Sequence, residues 1–449
     1  MKPTTRQKLN DSAAMRWTAL ILVSATMMFG YFFTDVMSPL EPLLTAAKED
    51  GGLGWSSDEY GFFSGSYGFF NVFLGLLFIG GIILDKFGIR FTGTMSTALM
   101  FAGALIKWYA VGHSFEGEMM GYSMQVVVAC LGFALYGVGC EIAGITVSKV
   151  LVKWFTGHEL ALAMGVQVGL ARLGTAAALS LALPFAKQMG GAASSVGLGA
   201  AMLCIGMIAF LVYNVMDRRL DATAGCCGSD TPEESLRWAD IVYLVTNKGF
   251  WYIALLCLMF YAGVFPFLKF ATKIMVLKYG VDESVAGSIP SMLPYGTIVL
   301  TPLFGYIYDK IGKGATLMII GSVLLTLVHA TFALPVNNVV LAITLMVVLG
   351  VAFGLVPSAM WPSVPKIIPM QVLGTAYALI FYIQNIGLSL VPIWIGKVNQ
   401  ANTDASGMID YTHTLSIFAA FGAISIVISL LLRAEDKKKG YGLEERNMK

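Results

Sequence analysis

Long apolar segments separated by short polar ones dominate the chain and restrict what it can fold into. Hydrophobic residues make up 57% of the 449 residues and charged residues 12%, whereas soluble chains carry about 25% charged residues. A helix needs about twenty apolar residues to cross a hydrocarbon core ~30 Å thick. The sequence therefore predicts an all-α membrane protein with twelve transmembrane helices, near residues 17–40, 59–84, 92–112, 123–149, 160–186, 196–216, 249–275, 284–307, 315–335, 339–361, 372–396 and 412–433.

Lysine and arginine residues are distributed unequally between the two sides of the predicted membrane. If the N-terminus is cytoplasmic, twenty-one of them lie on the cytoplasmic side and four on the other. Positive residues collect in cytoplasmic loops, so we expect both termini in the cytoplasm. Residues 1–15 lack the short apolar core of a cleavable signal, and the first apolar segment is expected to remain in the mature protein. The basic residues form no stripe, which argues against nucleic acid as a partner.

The longest polar interruption, residues 217–248, separates two sets of six predicted spans. Thr231, Pro232 and Glu234 form a helix-start pattern, so we expect a short surface helix in this linker. The predicted domains are an N-terminal half at 1–216, a cytoplasmic linker at 217–248, a C-terminal half at 249–434 and a cytoplasmic tail at 435–449.

One short motif occurs in both halves. Residues 81–90 read GIILDKFGIR and residues 305–313 read GYIYDKIGK, which places Asp85 and Asp309 224 positions apart. The repeated motif resembles the loop signature of the major facilitator superfamily, and this resemblance implies two pseudo-symmetric six-helix halves that rock about a central site. A tight turn with topology-setting charges is the competing explanation of one copy alone. The charges that we expect to act in gating are Asp85, Lys86, Arg90, Asp309 and Lys310.

Two charged residues interrupt apolar runs that are long enough to span a membrane. Glu141 and Arg172 each lie about fifteen residues from the turn near position 156. At ~1.5 Å per residue, both charges are expected at one depth, near the middle of the membrane. A charge there costs ~2.5 to 3.5 kcal/mol on insertion scales. The pair therefore needs mutual neutralisation or a polar task.

A second internal repeat, at an offset of 213 residues, relates these charges to the other half. Residues 137–141 (GVGCE) align with 350–354 (GVAFG), and residues 171–174 (ARLG) align with 384–387 (QNIG). Glu141 therefore corresponds to Gly354, and Arg172 to Asn385. Such asymmetry suits a two-fold scaffold that binds an asymmetric ligand with two charges.

Further stretches resemble one branch of the superfamily, that of the lysosomal dipeptide uniporter and its bacterial relatives. They include residues 154–160 (WFTGHEL), 264–267 (VFPF) and 373–377 (LGTAY). The branch implies an intramembrane Glu and Arg that hold the amino and carboxyl ends of a dipeptide, and these map onto Glu141 and Arg172. The termini lack an acidic dileucine-type sorting signal, so we expect a bacterial inner (plasma) membrane rather than a lysosome.

The residues themselves are consistent with this role. The rigid fork of Arg suits bidentate carboxylate binding, and a Glu can accept hydrogen bonds from an ammonium group. The competing hypothesis for the pair is a structural ion pair that ties two helices together. Other hypotheses for the protein are a carrier of another organic anion or a drug, and a non-transporting receptor or partner-stabilising subunit.

Weaker candidates complete the prediction. Asp35 and Glu141 are candidate protonation sites if transport is coupled to protons. Lys269 and Lys273 are expected either to snorkel to the outer interface or to contact a carboxylate in the outer vestibule. No enzyme constellation, cofactor motif or metal-ligand set is apparent, so the expected ligands are a small molecule or peptide and membrane lipid. Candidates for lining the cavity, with ordinary packing as the competing explanation, are Tyr31, Tyr67, Asn71, Tyr295, Trp361, Tyr382, Gln384 and Asn385.

Overall fold

The computed structural model describes residues 9–155, 158–224, 242, 244–369, 372–405 and 407–446. Helices make up most of these ranges. The first half contains α1 (Ala13–Asp35), α2 (Glu41–Thr45), α3 (Ser57–Gly65), α4 (Phe69–Phe73), α5 (Leu76–Gly112), α6 (Met124–Phe155), α7 (Leu160–Gln188) and α8 (Ala192–Ala224). The second half contains α9 (Lys248–Leu277), α10 (Glu283–Ala286), α11 (Ser288–Ile311), α12 (Gly314–Ala333), α13 (Val339–Ile367), α14 (Leu373–Ala401) and α15 (Thr412–Lys439).

Within the described ranges, only small elements lie between the long helices. Three 3₁₀ turns occur at Leu9–Asp11, Lys48–Asp50 and Ser66–Gly68. A two-residue antiparallel hairpin, β1 (Glu118–Met119) and β2 (Tyr122–Ser123), precedes α6. The long helices therefore carry the architecture.

The predicted spans correspond to these helices. Nine helices in the described ranges are long and apolar enough to cross a membrane. Two further predicted spans lie in the bent pair formed by Ser57–Phe73 and α5, whose axes differ by 56°. The last corresponds to α11, which has 24 residues and is less apolar, but at ~1.5 Å per residue is long enough to cross. These segments form the predicted fold of two six-helix halves.

Glycines in the left-handed region divide the chain between α3 and the end of α5. Gly75 has φ 63° and separates α4 from α5, and Gly88 has φ 74° within α5. Gly88 lies between the predicted end of the second span at residue 84 and the predicted start of the third at residue 92. A residue with a Cβ would be strained at either position.

Several predicted boundaries need correction. The first span ends at Asp35 rather than at residue 40, because α2 starts separately with Pro42 in its first turn. The tenth span, predicted to end at residue 361, continues as α13 through Pro362 and Pro365 to Ile367. Before the central interruption, α8 extends to Ala224 and so includes the first eight residues of the linker predicted at 217–248. The linker helix predicted at residues 231–234 lies outside the described residues.

Both ends of the described chain lie on one side of the membrane, which we call the terminal side. Arg16 pairs with Glu159 at the start of α7, and the amide of Gly314 at the start of α12 donates to Leu443. The far end of α7 lies on the opposite side, where Lys187 pairs with Glu283 just before α11, 2.7 Å away. The predicted tail therefore folds back onto the helices of its own half.

The two halves meet along α7 with α11 and along α3 with α14. A Cβ on Gly61 of α3 would lie 2.6 Å from the carbonyl oxygen of Pro392 and 2.7 Å from the Cα of Gly396. The amide of Ser57 donates to the side chain of Gln400 at the same end. Glycine thus allows the backbones to touch, and the halves are closed together on the side opposite the termini.

Candidate functional site

Glu141 lies in α6, half-buried, with its carboxylate held by a tyrosine. The hydroxyl of Tyr67 donates to Oε1 of Glu141 over 2.9 Å. Gly137, one turn earlier on α6, permits this approach, because a Cβ there would lie 2.0 Å from the carbonyl oxygen of Tyr67. The ring of Tyr67 packs near those of Phe133 and Tyr136. One hydrogen bond therefore positions the carboxylate, and the tyrosine that donates it packs near two other aromatic rings.

Arg172 lies in α7 and is surrounded by aromatic rings. Its guanidinium carbon is 5.9 Å from the ring centroid of Tyr31, 5.6 Å from that of Phe265 and 5.4 Å from that of Phe353. Tyr31 belongs to the first half, whereas Phe265 and Phe353 belong to the second. Within the described ranges, Arg172 forms no hydrogen bond or ion pair with the protein. A half-buried guanidinium with all its donors unused is a ready anion-binding group.

The two central charges lie at similar depths and do not pair. Glu141 is fourteen residues before the end of α6 at Phe155, and Arg172 is twelve residues after the start of α7 at Leu160. At ~1.5 Å per residue, these offsets are about 21 and 18 Å from the terminal side. No ion pair joins the two side chains in the described structure, so the structural ion pair considered from the sequence is not formed in this conformation.

A chain of aromatic contacts extends from Arg172 into the second half. Tyr261 lies 5.5 Å from Phe265 and 5.6 Å from Phe353, measured between ring centroids. The indole N–H of Trp361 donates to the hydroxyl of Tyr261 over 3.1 Å. Of these residues, only Trp361 was predicted as a candidate. The motif at residues 264–267 and the position of Phe353, directly before the counterpart of Glu141, are the sequence signals that point to two of the others.

The candidates on α14 have no hydrogen bond to the two charges in the described structure, and only Tyr382 bonds across the seam between the halves. The hydroxyl of Tyr382 donates to the carbonyl of Val72 over 2.9 Å. Gln384 accepts a hydrogen bond from the thiol of Cys257. Asn385 donates to the carbonyl of Phe381 within its own helix. The structure therefore places these three side chains against helices, as packing would.

Two predicted lining residues have no bond to the charges in the described ranges. Asn71 is buried, and its side-chain amide has no hydrogen-bond partner there. Tyr295 is 43% exposed, and no hydrogen bond or ring contact joins it to Glu141 or Arg172.

Charges from both halves meet on the side opposite the termini. Nζ of Lys269 lies 2.7 Å from Oδ1 of Asp35, and the hydroxyl of Thr175 donates to Oδ2 over 2.8 Å. Lys273 lies 3.9 Å from Glu41. Both lysine side chains are at least 85% buried, so these ion pairs replace the predicted snorkelling to the interface. The Asp35–Lys269 pair joins α1 to α9 and therefore links the halves.

The charged motif on the terminal side forms pairs within the first half. Asp85 lies 2.7 Å from Lys149 of α6, and Arg90 lies 3.1 Å from Asp221 of α8. Lys86 lies over the ring of Phe87. In the second copy, Asp309 lies in the last turn of α11, and its neighbour Lys310 lies over the ring of Tyr306. The two ion pairs hold helices of the first half together. Their predicted role in gating stays a prediction.

The sequence matches the family profile of the Major Facilitator Superfamily over residues 16–392. The chain belongs to that superfamily. Like its relatives and structural neighbours, it is a multi-pass membrane transporter and not an enzyme. The fold and superfamily predicted from the sequence are confirmed.

Related proteins of this superfamily carry more specific names. The chain is 28% identical over 382 residues to a zebrafish (Danio rerio) protein named lysosomal dipeptide transporter MFSD1, covering 82% of this chain and 77% of the relative. The human protein of that name is 27% identical over 383 residues, covering 82% and 76%.

Solved structures share the fold. A peptide transporter POT variant in complex with alafosfalin superposes with a TM-score of 0.71 at 14% identity, covering 98% of both chains. The nucleoside transporter NupG superposes with a TM-score of 0.68 at 16% identity, covering 94% of this chain and 99% of the other. At these identities, the likeness concerns the fold.

Proposed function

We propose that this transporter carries dipeptides by alternating access, with Glu141 binding the amino end and Arg172 the carboxyl end. The observation that carries the proposal is the guanidinium of Arg172, which lies among aromatic rings of both halves with none of its donors bonded to the described protein. A carboxylate entering this place would supply the two parallel acceptors that the arginine fork fits.

The carboxylate of Glu141 supplies the complementary charge. The hydroxyl of Tyr67 occupies one lone pair of Oε1 and fixes the orientation of the group. A carboxylate has about four acceptor positions, so the others stay available to an ammonium group. Because the two side chains do not pair in the described structure, both charges stay available to a zwitterion whose termini are separated by up to ~3.8 Å per residue.

The peptide side chains would then lie against the aromatic contacts that lead from Arg172 to Trp361. Rings offer apolar surface without a unique hydrogen-bond pattern, so broad side-chain tolerance is expected. Trp361 also stacks on Phe381, with 4.8 Å between ring centroids. The dipeptide transport named for the zebrafish and human relatives and the peptide transport named for one structural neighbour support this cargo.

We further propose a bacterial plasma membrane with the terminal side in the cytoplasm. The excess of lysine and arginine on the terminal side supports this orientation. In that orientation, the present conformation is closed toward the outside.

Uptake of radiolabelled dipeptide into proteoliposomes tests the function. Glu141→Gln and Arg172→Met should each reduce uptake at least tenfold, since each removes one of two charge-assisted contacts worth ~1.5 to 3 kcal/mol. Acetylating the peptide amino end should abolish uptake by the unchanged protein, and amidating the carboxyl end should do the same.

The results separate the remaining hypotheses. Equal uptake of the acetylated peptide would identify an organic-anion carrier. Stabilisation by dipeptide without flux would favour a receptor. Unchanged uptake in both variants would contradict the proposed roles of the two charges.

A further inference from the structure

Two lysines from different halves hold the carboxyl end of α1. Nζ of Lys107, on α5 of the first half, donates to the carbonyl of Phe33 over 3.2 Å. Nζ of Lys269, on α9 of the second half, donates to the carbonyl of Thr34 over 3.1 Å. The last carbonyls of a helix lack partners within the helix and carry partial negative charge. Both ammonium groups therefore stabilise one helix end, but only Lys107 belongs to the same half as that end.

Lys107 is a buried charge that the proposed peptide site does not use. It is 0% exposed, and its Nζ lies 4.0 Å from the ring centroid of Phe33 and 4.2 Å from that of Phe133. Within the described ranges it has no carboxylate partner. A lysine held by one carbonyl and aromatic faces lacks the counter-ion that buried charges usually have.

A carboxylate close to Lys107 along α1 is already occupied. Asp35 follows Phe33 by two residues and is bonded to Lys269 and Thr175. Lys107 and Lys269 bind the adjacent carbonyls of Phe33 and Thr34, so both ammonium groups lie at the same helix end as Asp35. In this closed arrangement, Asp35 is therefore paired with Lys269, and Lys107 has no carboxylate partner in the described structure.

Opening on the side opposite the termini would separate Asp35 from Lys269 but not from Lys107. Lys269 moves with the second half, whereas Asp35, Thr175 and Lys107 all belong to the first. The side chain of Asp35 is 13% exposed, and loss of its ion-pair partner would leave a buried charge without compensation. The flexible four-carbon stem of a lysine allows the ammonium group of Lys107 to move over a few ångströms.

We propose that Lys107 is the second counter-ion of Asp35, which exchanges Lys269 for Lys107 when the halves separate on the side opposite the termini. The proposal rests on the alternating access of the proposed function but not on the peptide cargo. Asp35 then keeps its charge throughout the cycle, and opening needs no proton at this carboxylate. Lys107 acts as a gating residue that stabilises the open form.

Spin labels at two exposed positions measure this opening. Met189, after α7, and Val336, between α12 and α13, are 62% and 41% exposed on the side opposite the termini, in different halves. In a background without the native cysteines, Met189→Cys and Val336→Cys carry the labels. Pulsed electron resonance in nanodiscs then gives the populations of short and long distances.

Separate substitutions test the Asp35–Lys269 ion pair and the proposed change of the Asp35 partner to Lys107. Lys269→Met should raise the long-distance population. Lys107→Met alone should lower the open-to-closed ratio about tenfold, within the usual range of coupling between sites, because Asp35 then lacks a cation in the open form but keeps Lys269 in the closed form. Asp35→Asn in the same chain should restore the open form, because no charge is then left to compensate.

Lys278→Met is the matched control. Lys278 also caps helix carbonyls, those of Phe332 and Leu334, but within one half. If Lys107→Met changes the distances no more than this control does, Lys107 is only a helix cap and the proposal is wrong. If Lys269→Met fails to open the protein, alternating access through this gate is wrong instead.

A second comparison applies if Lys107→Met does not fold. The exchange predicts that Asp35→Asn combined with Lys269→Met restores folding of that variant, since the carboxylate and both of its counter-ions are then removed together. A cap role predicts that it does not, and continued misfolding would overturn the proposal.

Discussion

Replacing Arg172 by methionine separates a ligand-binding arginine from a structural one, because the two roles predict opposite effects on the empty protein. Removing an intramembrane charge recovers ~2.5 to 3.5 kcal/mol on insertion scales. The three ring contacts that are lost, at 5.4 to 5.9 Å, are worth ~0.5 to 1 kcal/mol each. The net change in the free energy of unfolding lies between about −0.5 and +2 kcal/mol. If Arg172 instead belonged to a structural ion pair, its removal would cost ~3 to 5 kcal/mol.

Thermal unfolding of the purified protein without substrate measures this difference. At roughly 2 °C per kcal/mol, Arg172→Met should leave the midpoint unchanged or raise it by a few degrees, while dipeptide uptake is lost. Arg16→Met is the control, because Arg16 binds both oxygens of Glu159 at 3.1 and 3.2 Å and the carbonyl of Asn10 at 2.8 Å. Its midpoint should fall. If the unfolding midpoint of Arg172→Met falls by the same amount, the inference that this guanidinium binds a ligand rather than the protein is refuted.

Three further substitutions test other parts of the structure. Tyr67→Phe removes the only hydrogen bond that orients the intramembrane glutamate in the described structure, and the KM for dipeptide should rise about tenfold with no loss of folded protein. Gly61→Val should prevent closure against α14 and abolish uptake, whereas Gly81→Val, with no atom within 4 Å of its added Cβ, should transport normally; equal uptake in both would contradict the close-contact argument. Asp217→Asn should lower the unfolding midpoint by several degrees, because this 1% exposed carboxylate binds Lys153 at 2.8 Å. Asp221 is 43% exposed, and Asp221→Asn should change the free energy of unfolding by about 1 kcal/mol or less.

The depth of the central charges followed from the sequence because helices have a fixed rise per residue. Equal spacing from one turn predicted that Glu141 and Arg172 lie at one level, and the helix bounds agree. The aromatic surroundings of Arg172 were harder to predict. Phe265 and Phe353 come from helices far apart in the chain, and hydropathy does not tell which faces of two apolar helices meet.

Lys107 shows a second reason why the sequence was insufficient. It lies five residues before the end of α5 at Gly112, where a lysine would ordinarily extend to the interface. Its burial depends on the rings of Phe33 and Phe133 from two other helices. Only tertiary packing shows that this lysine turns inward.

The folded-back segment after α15 determines how the second half can move. Glu444 accepts hydrogen bonds from the amide and hydroxyl of Thr316 at the start of α12, and Lys366 near the end of α13 donates to the carbonyl of Gly442. These bonds fasten the terminal-side ends of three helices to one another. A tilt of any one of them must therefore be shared by the others, and a probe attached to one reports the rotation of this group as a unit.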